Sequence, residues 1–339
     1  KSDMAQMTGF DDGEEETVIN LTVKPGMKQG WFGNAYGGYG SKDRYEGNAM
    51  VNRFVNNDQI TFMGGANNTN NMGFSDLAST MFSGMGGGGG RRGGFGAGSG
   101  ITSSGNAGLN FSKEFKPDKL TLGGNTRYSH SDNDARSKSD RQNILPGDSS
   151  SYDNSEAMSR TKSDNFGVDF RLEWKPDTMT QLIFRPSFSF SHSMNDNFSD
   201  ATTLDNERDT VNTNKSSNYS ESNGYSLNAS IDFSRKLNNK GRVFSATLSG
   251  GNSDSYSDGM NRSDIVYFNQ TDALKNSIID QRSRYDNKGF NYRAYVSWVE
   301  PIGHNNFIQA TYSISQRKQE ALKNVYNQDA DGIYNVLDS

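Results

Sequence analysis

The sequence predicts an all-β fold, an antiparallel up-and-down transmembrane β-barrel of which about eleven strands are present here. Three observations predict it. Apolar and polar residues alternate at period two in segment after segment, connection lengths sort by parity, and aromatic residues gather beside one set of chain reversals. The pattern is clearest in residues 166–192. Phe166, Val168, Phe170, Leu172 and Trp174 alternate with Gly167, Asp169, Arg171 and Glu173. Successive strand side chains point to opposite faces, so one face is apolar and the other charged. Residues 175–179 reverse the chain, and Leu182, Phe184, Phe188 and Phe190 resume the apolar face against Gln181, Arg185, Ser187 and Ser189. Such a hairpin fits a soluble sandwich, with its apolar face on a second sheet, or a membrane barrel, with that face on lipid.

Composition favours the second. The chain has 339 residues, of which 32% are hydrophobic, and its mean hydropathy is -0.85. A soluble protein of this size needs more apolar residues to fill a core. Disorder is opposed by the 11% aromatic content, since disordered chains are poor in aromatics. A barrel with a wet lumen needs apolar residues on its outer face only. No run of apolar residues is long enough for a transmembrane helix. The net charge of -5 excludes a strongly basic nucleic-acid binder, and the absence of Cys excludes disulfides and thiolate metal sites.

Along the chain, residues 1–16 are polar and end in an acidic run, and Val18, Ile19, Leu21 and Val23 form a short strand before a turn containing Pro25 and Gly26. Strands are then predicted at about 31–40, 45–55, 59–68, 104–114, 119–130, 160–174, 180–193, 219–235, 241–254, 285–299 and 305–319. From the third strand onward, long connections at 69–103, 131–159, 194–218 and 255–284 alternate with short ones, and 320–339 reads as a further loop. A meander with turns on one side of a membrane and loops on the other produces that alternation. Trp31, Trp174 and Trp298 lie beside short-turn ends, as do Phe115 and Phe233, and such rings prefer the headgroup level. Pro25, Pro117, Pro176 and Pro301 fall in short turns, where no ladder donor is lost. Pro186 sits inside a strand and demands a bulge or an irregular ladder. The faces of the first three strands, interrupted by Gly and Asn, are not assignable from sequence.

Residues 8–54 and 62–76 carry GFDDGEEE from Gly9, VINL from Val18, KQGWFGN from Lys28, RYEG from Arg44 and GGANNTNN from Gly64. In these pieces the chain resembles the plug–barrel junction of TonB-dependent-receptor-like outer-membrane β-barrel proteins of Bacteroidetes-type bacteria. The resemblance implies that residues 1–29 end a plug domain and that 30–339 form the N-terminal half of a plugged barrel of 22 strands. It implies a place in the bacterial outer membrane, with extracellular loops, periplasmic turns and lipid around the barrel. The function it implies is a receptor or transporter that captures a solute and passes it through the barrel. Energy coupling to a TonB-type protein would act through a segment ahead of the plug. The alternative is a non-transporting barrel that anchors a cell-envelope complex, with surface lipoproteins or envelope subunits as partners.

Few sites stand out. The glycine tract at 84–100 lacks the strand, helix and Lys-Ser/Thr pair of a phosphate loop, so it reads as an external loop. Asn327, Asp329, Asp331, Gly332, Asn335 and Asp338 have the spacing of a calcium loop, and Asn327, Asp329, Asp331 and Asp338 are the candidate Ca²⁺ ligands. Position 12 of that pattern is Asp, not the usual Glu. His130, His192 and His304 read as isolated. No residues have catalytic spacing, so the expectation is that the protein is not an enzyme. Asp169, Arg171, Glu173, Arg185 and Arg293 point inward, either paired with one another or lining a solute path.

Overall fold

The structure is a computed structural model that describes residues 29–70, 100–144, 150–268, 276–302 and 306–338. Twelve strands follow one another among these residues: β1 (Gln29–Gly40), β2 (Arg44–Val55), β3 (Asp58–Asn67), β4 (Ile101–Lys116), β5 (Leu120–Asn143), β6 (Ser151–Asp177), β7 (Thr180–Leu204), β8 (Thr210–Lys236), β9 (Val243–Tyr267), β10 (Asn276–Pro301), β11 (Phe307–Gln328) and β12 (Tyr334–Leu337). They form a single antiparallel sheet in sequence order. The sheet is not closed into a barrel, and β1 and β12 each pair with one neighbour. The expected plug strand at 18–23 lies outside the described residues, as do 71–99 of the first long connection.

The eleven expected strands are present, but several are much longer than expected. The stretches 131–159, 194–218 and 255–284 are not long loops: most of each continues the flanking strands. Between β7 and β8 only 205–209 lie outside strands. Likewise the described part of 320–339 continues β11, turns, and returns as β12. These stretches are polar on both faces, so no apolar period marks them in the sequence. What extends them is backbone pairing to a neighbour already in register. The 27 residues of β6 span roughly 90 Å at ~3.3 Å each.

Chain reversal is local. Asn56 and Asp118 adopt left-handed backbone conformations in the tight turns after β2 and β4 (φ 57° each), a region that Asn and Asp tolerate. Pro186 causes no register shift. Val168 and Leu172 pair with Phe188 and Phe184 on either side of it, while the bridges opposite Arg185 and Pro186 are missing on the β6 side. The ladder is simply interrupted where the ring has no N–H to give.

Register decides which residues share a face. The rung from Trp31 runs through Arg53, Ile60, Phe111, Gly124 and Phe170, and resumes at Pro186, Ala229, Gly250 and Tyr292. Every apolar series therefore falls on one side of the sheet. On that side Trp31 and Tyr39, Leu120 and Tyr128, Trp174 and Phe166, Leu182 and Phe190, Phe233 and Tyr225, and Trp298 and Phe290 each bound about nine residues of strand. Trp174 lies lower on its strand than the rung residue Phe170, and Trp298 lower still than Tyr292. With strands ~4.8 Å apart and residues ~3.3 Å apart, the line through the three Trp crosses the rungs at roughly 25–29°. The apolar residues thus form an inclined band about 24 Å high, with the stagger that tilted strands require.

Burial is inverted relative to a soluble sheet. The apolar face is exposed: Leu248 is 55% accessible and Phe290 52%. The opposite face, rich in polar residues, holds the buried side chains, among them Thr61, Asn125, Ile183, Ser234, Ser245, Ser297 and Val299. The lower margin of the band is an aromatic row in which Phe233 and Phe244 lie 6.3 Å apart and Phe244 and Trp298 6.4 Å. Mid-band, the Phe111 and Phe170 rings meet edge to face at 6.3 Å across Gly124. A Cβ at Gly124 would come within 2.7 Å of Phe170, 2.9 Å of Phe111 and 3.0 Å of a backbone oxygen. Gly124→Val is expected to cost about 1–3 kcal/mol, the range for overpacking, read as a lower unfolding midpoint in denaturant.

Candidate functional site

The polar face is the candidate site, and its chemistry changes with height. Level with the apolar band it is charged, because these positions alternate with the band residues along the same strands. Arg127 pairs with Asp169 at 2.7 Å. Glu173 gathers Lys175 at 2.7 Å, Gln181 at 2.8 Å and Arg171 at 3.4 Å. Arg185 pairs with Asp232, which also accepts a 2.7 Å hydrogen bond from Thr247. Of the inward charges of the sequence reading, Asp169 and Arg185 pair across strands, while Arg171 and Glu173 pair with each other along β6. Arg293 lies on the same face, opposite Ser249 and Ser315.

Above the band this face is uncharged on β4–β10 up to its far end, whereas Lys323 stands on it on β11, opposite Tyr285. Ser104, Ser131, Ser163, Ser193, Ser222 and Ser257 stand directly opposite one another on six consecutive strands. The Ser131 and Ser163 hydroxyls are 2.8 Å apart, as are those of Ser222 and Ser257. The rung below holds Asn106, Ser129, Asn165, Ser191, Gly224 and Ser255; the rung above holds Asn133, Thr161, Asn195, Ser220 and Gly259. On β5–β9 the first charges met on this face are Arg141 and Asp153, opposed at the far end. A shallow recess of about 290 Å³ continues the face onto β10 and β11, lined by Ser253, Gly289, Asn291, Arg317 and Gln319 with Phe290 and Lys318.

Over the same span the other face carries the charge, including Asp132, Asp134, Arg160, Lys162, Asp164, Glu221, Asp254, Asp258 and Arg262. Arg160 holds Asp132 with two hydrogen bonds, at 2.9 and 2.7 Å. Those bonds hold the Asp132 carboxyl below its ordinary value, with further help from the charges of Arg160 and Lys162. A depressed carboxyl stabilises the fold above its unfolded pKa of ~3.9 and loses that contribution as pH falls through the folded value. Asp132→Asn is expected to lower stability at neutral pH by less than about 1 kcal/mol, since the pair is partly exposed. Unfolding midpoints of the two proteins should converge in acid.

Two of the three histidines are not isolated. His130, Asp164 and His192 are consecutive members of one rung just above the band. His130 Nδ1 lies 2.8 Å from Asp164 Oδ1, to which Tyr128 also donates at 2.5 Å. His192 Nδ1 lies 2.8 Å from Asn223 Oδ1. Sequence separation hid this row, because β5, β6 and β7 come together only through register. His304 lies outside the described residues.

The calcium-loop residues form a hairpin. Asp329 accepts the backbone N–H groups of Asp331 and Ile333 at 2.9 Å each, and Asn335 also donates to it. These bonds, that from Ile333 first, hold the Asp329 carboxyl below its ordinary value. Asn327 donates to Asp338 at 3.0 Å, across the β11–β12 pair. Among the described residues no three His, Asp or Glu side chains converge as a metal site would require. The Asp329 and Asp338 carboxylates thus accept from donors of the hairpin itself.

No family model matches this chain, and no curated protein does.

Proposed function

We propose that this chain is the wall of a transmembrane β-barrel in a bacterial outer membrane and serves as a receptor or transporter of the TonB-dependent type. One observation carries the membrane part of the reading: the exposed face is apolar over about nine residues per strand, while the polar face turned away holds the sheet's buried side chains. A membrane-spanning strand needs ~9–11 residues, and the apolar belt of outer-membrane barrels is about 25 Å tall with aromatic margins. In water, an apolar face of this extent would be covered by a second layer. The free edges at β1 and β11–β12 would be closed by further strands, because lipid cannot satisfy their backbone groups.

The short-turn end is then periplasmic, and the tall polar half of β5–β10 stands outside the cell. Solute capture and TonB coupling rest on the resemblance in residues 8–76, and a plug in residues 1–29 rests on it too. The paired charges level with the band fit a polar lumen wall equally well in a non-transporting anchor. Deleting the gene and following uptake of candidate solutes separates the two: an uptake defect supports the receptor, while normal uptake with a co-purifying envelope complex supports the anchor. Outer-membrane fractionation tests the location common to both, and recovery in the soluble fraction contradicts it.

A further inference from the structure

Resting on that reading, we infer that the polar face of the extracellular half is a binding wall for neutral oligosaccharide. Strands wetted equally on both sides have no reason to sort charge by face. Here Asp132, Arg160, Lys162 and Glu221 share the face that continues the apolar band, while the opposite positions on the same strands are Ser, Thr, Asn, Ala and Gly. The two faces therefore meet different surroundings, and the inner one is matched to an occupant that brings no charge. An ionic chelate or acidic polymer would leave its charge without a partner there.

The serine rung adds the positive side of the argument. A hydroxyl both donates and accepts, and so does a carboxamide group taken as a whole. Six hydroxyls side by side, with Asn and Thr in the rungs around them, present both roles at the ~4.8 Å strand spacing. Saccharide hydroxyls need the same dual role along a whole chain. A peptide also offers donors and acceptors, but its apolar side chains need pockets, and over β5–β9 the apolar groups of this face below its far end are Ala135, Ala157 and Ala201, with Ile265 as the one large residue, on the Ala201 rung. Small side chains also let a bulky polymer lie close to the wall.

The test uses the full-length protein extracted in detergent, after outer-membrane fractionation has established its location. Binding is measured on an array of neutral oligosaccharides cut from α-glucan, β-glucan, mannan and xylan, beside oligogalacturonate, chondroitin sulfate fragments and a random peptide library. The expected result is binding to at least one neutral class. Ser193→Asp should weaken it at least tenfold, whereas Ser193→Asn, which keeps the neutral dual role, and Met194→Asp, which places the same charge on the other face, should leave it within about twofold. Heat-modifiable gel mobility of each variant establishes that it is folded. Binding confined to anionic glycans or peptides, no neutral binding at millimolar ligand, or equal effects of Ser193→Asp and Met194→Asp would overturn the inference. A protein absent from the outer membrane would instead refute the location on which it rests.

Discussion

Leu248→Arg is expected to destabilise the protein folded in a bilayer by roughly 2–4 kcal/mol, the cost of Arg at the midplane of a barrel's lipid face. Leu248 lies midway between Phe244 and Asn252 on β9 and is 55% exposed. For a protein bathed in water, a substitution at so exposed a position would stay within about 0.5 kcal/mol. The two settings therefore differ several-fold on one residue. Arg at Asn252, at the top of the same series, should cost only about 0–1 kcal/mol because it reaches the interface. Folding titrations into vesicles, compared with those in detergent, measure both.

Asp232→Ala should cost about 2–3 kcal/mol. Asp232 pairs with Arg185 and accepts from Thr247, and the Arg185 and Asp232 side chains are 20% and 15% accessible. Removing one partner of a fully buried pair costs about 3–5 kcal/mol because a charge is left without compensation, and residual exposure lowers that here. Arg185→Met alone strands the carboxylate and should cost a similar amount. The double variant should be less destabilised than the sum, with a coupling of about 0.5–3 kcal/mol. Additive losses would mean that the two charges are solvated separately.

The apolar band was legible in sequence wherever large residues mark it: β6, β7, β8 and β10 announce their faces through Phe, Leu, Ile and Trp at alternate positions. β1 to β3 did not, because Gly33, Gly37 and Gly64 carry no side chain to read, and their faces follow only from pairing with β4. The tall polar half was missed for a related reason. Ser and Asn favour turns as readily as they accept strand geometry, so residues 131–159 looked like loop until β5 and β6 were seen in register. The serine rung and the His130–Asp164–His192 row belong to no local pattern; each is assembled by register across several hairpins. The calcium spacing was visible in the sequence, and the structure adds that it falls on a hairpin whose Asp329 carboxylate caps its own turn.

These 339 residues contain no Cys, so the central claim is directly testable: an introduced Cys is the sole label site within them. Single Cys residues at each position from 244 to 260 would be labelled with a nitroxide in protein reconstituted into vesicles. Relaxation by lipid-soluble oxygen would be compared with relaxation by a water-soluble nickel chelate. Oxygen should dominate at Phe244, Ala246, Leu248 and Gly250 and the chelate at Ser245, Thr247, Ser249 and Gly251, with the alternation giving way near Asn252 to access by the chelate on both faces. Uniform chelate access from 244 onward would contradict a band in lipid, and the exposed apolar face would then belong against another protein layer.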